Sequence, residues 1–140
     1  MLLYPKEVIE KAGSWFEGDA RAAEWLKAFN YEELVELKDA VGRYSKAFEF
    51  LLVNKHLVLA TFVNAVWDDK KAFQILMEKK EFLWAAMANY INGDEKAKLF
   101  LAKNNLGHYA DFALKIQAKI RKDGDKGTSL FNSGPFKLEK

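Results

Sequence analysis

The chain has 140 residues, half of them apolar and 14% aromatic, which is enough apolar mass for one hydrophobic core and too much for a disordered chain. Its 22 basic and 20 acidic residues leave a net charge of +2, so no large field is directed at a polyanion such as a nucleic acid or an acidic membrane. The absence of cysteine excludes a disulfide scaffold, a thiol nucleophile and every Cys-based metal site.

The segment Met1-Leu2-Leu3-Tyr4-Pro5-Lys6-Glu7 has neither a basic n-region nor a sustained apolar run, and no stretch approaches about 18 apolar residues. A cytoplasmic protein with no membrane partner is therefore expected. From Pro5 to Pro135 no proline interrupts the chain, so a helix can form anywhere between them. Apolar residues recur at helical spacing, as in Leu34, Leu37 and Val41, and no strand-length alternation occurs. The expected class is all-α.

Short polar breaks divide the helices: Glu17-Gly18-Asp19, Gly42-Arg43-Tyr44-Ser45, Asp68-Asp69 and Asn92-Gly93-Asp94. Each pairs a helix stop with a residue suited to cap the next start. Asn30 with Glu33 three places on reads as a capping box. The breaks predict about nine helices of roughly 8–14 residues, the last from Leu106 to Lys122.

An internal repeat with an offset of 25 residues underlies this spacing. Ala22, Ala47, Ala72 and Ala97 fall in one column, and Leu26, Leu51, Leu76 and Leu101 in another. Arg21, Lys46, Lys71 and Lys96 form a third. The first helix of each unit keeps register through Ile9, Leu34, Leu59, Trp84 and Tyr109, and again through Phe16, Val41, Val66 and Ile91. A hairpin of 25 residues cannot bury its apolar face alone, so neighbouring units must cover it. The expected fold is an α/α solenoid-like stack of about four such hairpins over residues 1–122, followed by an irregular tail over 123–140 that either caps the stack or is flexible.

The run Phe82-Leu83-Trp84-Ala85-Ala86, the turn Asn92-Gly93-Asp94 and the run from Ala97 to Asn104 resemble the inner helix, glycine turn and outer helix of an ankyrin-type repeat. Ankyrin units are longer, at about 33 residues, and carry a Thr-Pro-Leu-His start and a projecting hairpin that this sequence lacks. The resemblance implies a curved helical stack that binds other proteins.

Residues that could carry chemistry are few. His56 and His108 stand in different columns with no second His at helical pairing distance, so no metal pair forms and no metal or other cofactor is expected. Glu32-Glu33, Asp68-Asp69 and Asp94-Glu95 stand at helix starts, where the dipole accounts for them. Asp123-Gly124-Asp125-Lys126-Gly127 matches the start of a calcium loop, but Gly134 stands where its bidentate Glu is needed. Leu130, Phe131, Phe136 and Leu138 are read as a cap over one end of the stack, or else as a segment that docks on another protein.

The functional expectation is a non-enzymatic protein–protein interaction module. Its partner-binding residues are read as a polar row on the first helices of the units, made of Asp39, Thr61, Asn64 and Asn89, with Trp67 beside it as an aromatic anchor. Replacing Trp67 and Asn64 by Ala is expected to weaken partner binding by about 2 kcal/mol or more with little effect on stability. The competing reading is a nucleic-acid-associated helical repeat that tracks phosphates with the basic column; the acidic residues at the same turns disfavour it.

Overall fold

The computed structural model describes residues 1–124. Among them are nine helices and no strand: α1 (Lys6–Phe16), α2 (Ala20–Ala28), α3 (Glu32–Val41), α4 (Ser45–Val53), α5 (Leu57–Val66), α6 (Lys70–Glu78), α7 (Phe82–Ile91), α8 (Glu95–Lys103) and α9 (Gly107–Gly124). The expected tail, including Leu130, Phe131, Phe136 and Leu138, lies outside the described residues.

The 25-residue period is written into the backbone itself. Residues Gly18, Arg43, Asp68 and Gly93 all have positive φ, and so do Asn30, Lys55, Lys80 and Asn105. Each set repeats every 25 positions and ends one helix of a hairpin. The left-handed residue lets the next N–H reach back five positions, as in the bonds Tyr31 N to Leu26 O, His56 N to Leu51 O, Glu81 N to Leu76 O and Leu106 N to Leu101 O, each 2.8 Å. The leucine column thus has two uses: the side chain fills the core while the carbonyl closes the turn. Asn30 belongs to this set and ends α2, which corrects the capping-box reading; the cap of α3 is Tyr31, with no side-chain bond. The Asp column behaves as expected. Asp19, Asp69 and Asp94 each accept from the backbone N–H two residues on, at 2.9–3.0 Å.

Helices pair in sequence as α1 with α2, α3 with α4, α5 with α6 and α7 with α8. The alanine column and the leucine column are buried throughout. At Ala72, 1% exposed, added bulk has nowhere to go. Ala72→Leu should cost about 1–3 kcal/mol by overpacking, read as a lower urea midpoint at unchanged slope; an unchanged midpoint would show that the hairpin can widen freely.

The odd-numbered helices contact one another in order, and the stack closes, since α9 packs on α1 and also reaches α3. An open solenoid leaves two terminal faces that need capping; here the first and last inner helices cover each other. The interior of the resulting five-helix ring is filled by Leu37, Phe62, Trp84, Tyr109 and Phe112, all 1% exposed or less. The fifth unit has no outer helix among the described residues, for a local reason. Where the other units place a left-handed residue and then a cap, it has Ala118 and Lys119. Alanine resists positive φ and lysine offers no capping oxygen, so α9 runs on to Gly124 without turning.

Candidate interaction surfaces

The inner helices run parallel, because their starts meet at one end of the ring and their ends at the other. At the carboxyl-terminal end, each unit clamps the one before it. The position after the last residue of α5, α7 and their counterpart in α9 is Trp67, Asn92 and Gln117, again 25 apart. Trp67 Nε1 donates to Val41 O at 3.0 Å, Asn92 Nδ2 to Ala65 O at 3.0 Å and Gln117 Nε2 to Ile91 O at 2.9 Å. These are carbonyls in the last turn of the preceding inner helix, where no intrahelical donor remains. The equivalent position in α3's unit is Gly42, and there Lys38 Nζ does the work, donating to Trp15 O at 2.9 Å. Burial and the charges of Lys119 and Lys122 lower the Lys38 pKa, with Asp39 opposing them.

This geometry changes the reading of the expected binding row. Trp67 is half-buried, its N–H is committed to Val41, and the Arg43 guanidinium lies 4.2 Å from its ring centroid. Asn64 is fully buried and Thr61 is 7% exposed, its hydroxyl donating to Leu57 O at 2.8 Å. Neither presents a surface to a partner. Asp39 is exposed and Asn89 is half-exposed, so the structure does not bring the five residues together on one open face. Column identity put them in register, but the depth of each inter-unit crevice depends on residues from other columns.

One of these crevices is open and apolar. Between α6, α7 and α8 lies a groove of about 320 Å³ floored by Ala85 and Ala86, walled by Phe73, Met77, Phe82 and Phe100, with Asn89, Asp94 and Lys96 at one end. Met77, Phe82 and Phe100 are 40–43% exposed. The sequence carries a signal for this groove that column counting by conserved type overlooks. Ala86 stands in a column otherwise filled by Lys11, Glu36, Thr61 and Asp111, and Phe82 in one that begins Glu7 and Glu32. Apolar residues replace polar ones at this unit alone.

A second depression, about 570 Å³, lies at the closing seam and is lined by Lys6, Glu10, Asn105, His108, Asp111 and Lys115 over Ile9, Gly13 and Phe112. A Cβ at Gly13 would come within 3.0 Å of Lys115 Cδ, so glycine lets the lysine stem lie across α1 and pair with Glu17 at 3.6 Å. Burial, then Lys6, lowers the His108 pKa, while Glu10 and Asp111 pull it back up. The imidazole is therefore neutral at pH 7. Among the described residues no group of three or more His, Asp or Glu side chains could hold a metal ion. Greater volume does not make this the better interaction site, because its charges of both signs lie over a small apolar floor. His56, the other histidine, caps α5 and stacks on Phe50 with centroids 6.4 Å apart.

At the opposite end of the ring, residues 1–5 form an extended strap. Glu81 Oε1 accepts from Leu2 N at 2.9 Å, and Trp84 Nε1 donates to Leu2 O at 3.0 Å. The Tyr109 hydroxyl accepts from Tyr4 N at 2.7 Å and donates to Tyr4 O at 3.1 Å. Tyr4 turns its ring edge-on to Tyr31 and Trp84 and donates its hydroxyl to Glu33 Oε2 at 2.9 Å. Burial, then the Glu33 carboxylate, holds the Tyr4 phenol well above its ordinary range, so it stays a donor.

No family model, no curated protein and no solved structure matches this chain. What the fold and surfaces define is a class of architecture: regular short helix pairs packed in sequence, as in a helical repeat, closed into a ring. No described helix is long and apolar enough to cross a membrane.

Proposed function

We propose that the protein is a non-enzymatic protein–protein interaction module of ankyrin-like, short-hairpin type, which binds its partner through the apolar groove between α6, α7 and α8. The observation that carries this reading is the cluster of Met77, Phe82 and Phe100, each 40% exposed or more around one groove. Single exposed apolar residues need no explanation, but a contiguous patch does. Aromatic and Met side chains around a shallow apolar floor are the composition of interface hot spots. Asn89, at the groove's end, is the one residue of the expected polar row that contributes to it.

The test is affinity capture from the native source, comparing wild type with Phe82→Glu combined with Phe100→Glu. A specific partner should be retained by wild type and lost by the double variant, while stability shifts by only about 0.5–1 kcal/mol because both side chains are already solvated. Retention of the same partner by both proteins would reject the groove. Binding to heparin or DNA with a steep salt slope would instead favour the nucleic-acid reading. The basic column is exposed, but Asp19, Asp69 and Asp94 sit two residues from Arg21, Lys71 and Lys96.

A further inference from the structure

The strap is held in a manner that its own packing does not require. Four of its five hydrogen bonds go to the backbone N–H and C=O of residues 2 and 4, alternate residues of an extended segment, and all four come from side chains of α7, α9 and the Glu81 cap. Side chains that serve both backbone groups of alternate residues recognise extended chain regardless of sequence, as peptide-binding sites do. Sequence is read at Tyr4, through two aromatic edges and a hydroxyl acceptor. Met1 and Leu3 point to solvent, 62% and 56% exposed, so they are unread. Leu2 is partly buried against the core.

We propose that this mouth of the ring is a binding site for an extended segment of a partner protein with the pattern aliphatic–any–tyrosine, and that residues 1–5 occupy it in cis until such a segment displaces them. The proposal is independent of the α6–α7–α8 groove. Displacement is feasible because the strap has no secondary structure of its own and one deep anchor, so few contacts are lost when it leaves and equivalent ones form with the incoming chain. The tyrosine must carry a free hydroxyl, since Glu33 accepts from it and would repel a phosphate. The cis strap lowers apparent affinity by the fraction of time it holds the site.

The probe is a capped synthetic peptide with the sequence of residues 1–6, titrated by calorimetry into the full chain. Tyr4→Ala, which loosens the strap, should bind the peptide about tenfold more tightly than wild type, following the larger open fraction. Adding Tyr109→Phe should abolish the gain, because the hydroxyl that holds both backbone groups of residue 4 is lost, and the phosphotyrosine peptide should not bind. Leu2→Pro, which removes only the residue 2 N–H donor, provides a second loosened strap if Tyr4→Ala fails to fold. Absence of binding to a folded loosened variant, or binding indifferent to Tyr109→Phe, overturns the proposal. So does failure of both variants to fold, which would make the strap part of the core, and so does dimerisation of wild type without peptide binding, which would make the occupant a second copy.

Discussion

Trp84→Ala should be the most damaging single substitution in this chain, lowering stability by about 4 kcal/mol or more. Two losses combine. The indole is fully buried at the centre of the ring, edge-on to Phe62 at 5.0 Å and to Tyr109 at 6.0 Å between centroids, and truncating such a side chain costs about 3–5 kcal/mol through lost contacts and the cavity left behind. Its Nε1 also donates to Leu2 O, a bond contributing about 1 kcal/mol. Domains are stable by only about 5–15 kcal/mol, so a large share of the total is removed. Urea unfolding should show a much lower midpoint, and hydrogen exchange at the Leu2 and Tyr4 amides should accelerate beyond the global effect. Trp84→Phe separates the parts: it keeps most of the volume and should show the accelerated exchange at residue 2 with a smaller drop in midpoint. A loss below about 1 kcal/mol for Trp84→Ala would mean that the ring is not packed around this residue.

Trp67→Ala should destabilise by about 2–3 kcal/mol, although the sequence pattern places Trp67 among the partner-binding residues. The half-buried ring contributes part of its transfer energy, the bond to Val41 O about 1 kcal/mol and the Arg43 stack about 0.5–1 kcal/mol. Trp67→Phe should recover all but about 1 kcal/mol, the share of the missing N–H donor. Adding Asn64→Ala should worsen stability further, because that amide is fully buried. The expectation that the Trp67 and Asn64 pair could be removed with stability almost intact is thus reversed. Thermal unfolding of the three variants decides the matter, and a Tm for Trp67→Ala within a degree of wild type would restore the surface reading.

The helical class, the positions of the hairpins and the inward face of each helix were legible in the sequence, because they are local or periodic properties. Ala47 and Ala72 fall early in their outer helices, Leu51 and Leu76 one turn later, and the turn residues Asp68-Asp69 and Gly93-Asp94 carry their own conformational preferences. Even the long final helix follows from Ala118 and Lys119 standing where a turn and cap recur elsewhere. Periodicity gives each residue a direction from its helix axis but does not say how deep the neighbouring unit lies. That is why Thr61 and Asn64 looked like members of a surface row and are buried, while Ala86 and Phe82, one unit on, line an open groove.

Closure, the inter-unit clamps and the strap were decided only by the tertiary structure. Nothing in the local preferences of α1 or α9 states that they touch, since the curvature that brings them together accumulates over every hairpin. The bonds from Trp67, Asn92 and Gln117 join residues of three chemical types in one column, so no composition pattern marks it. The contacts of Leu2 and Tyr4 with Glu81, Trp84 and Tyr109 span most of the described chain. Each of these partners was visible in the sequence as a residue; its proximity exists only once the ring has closed.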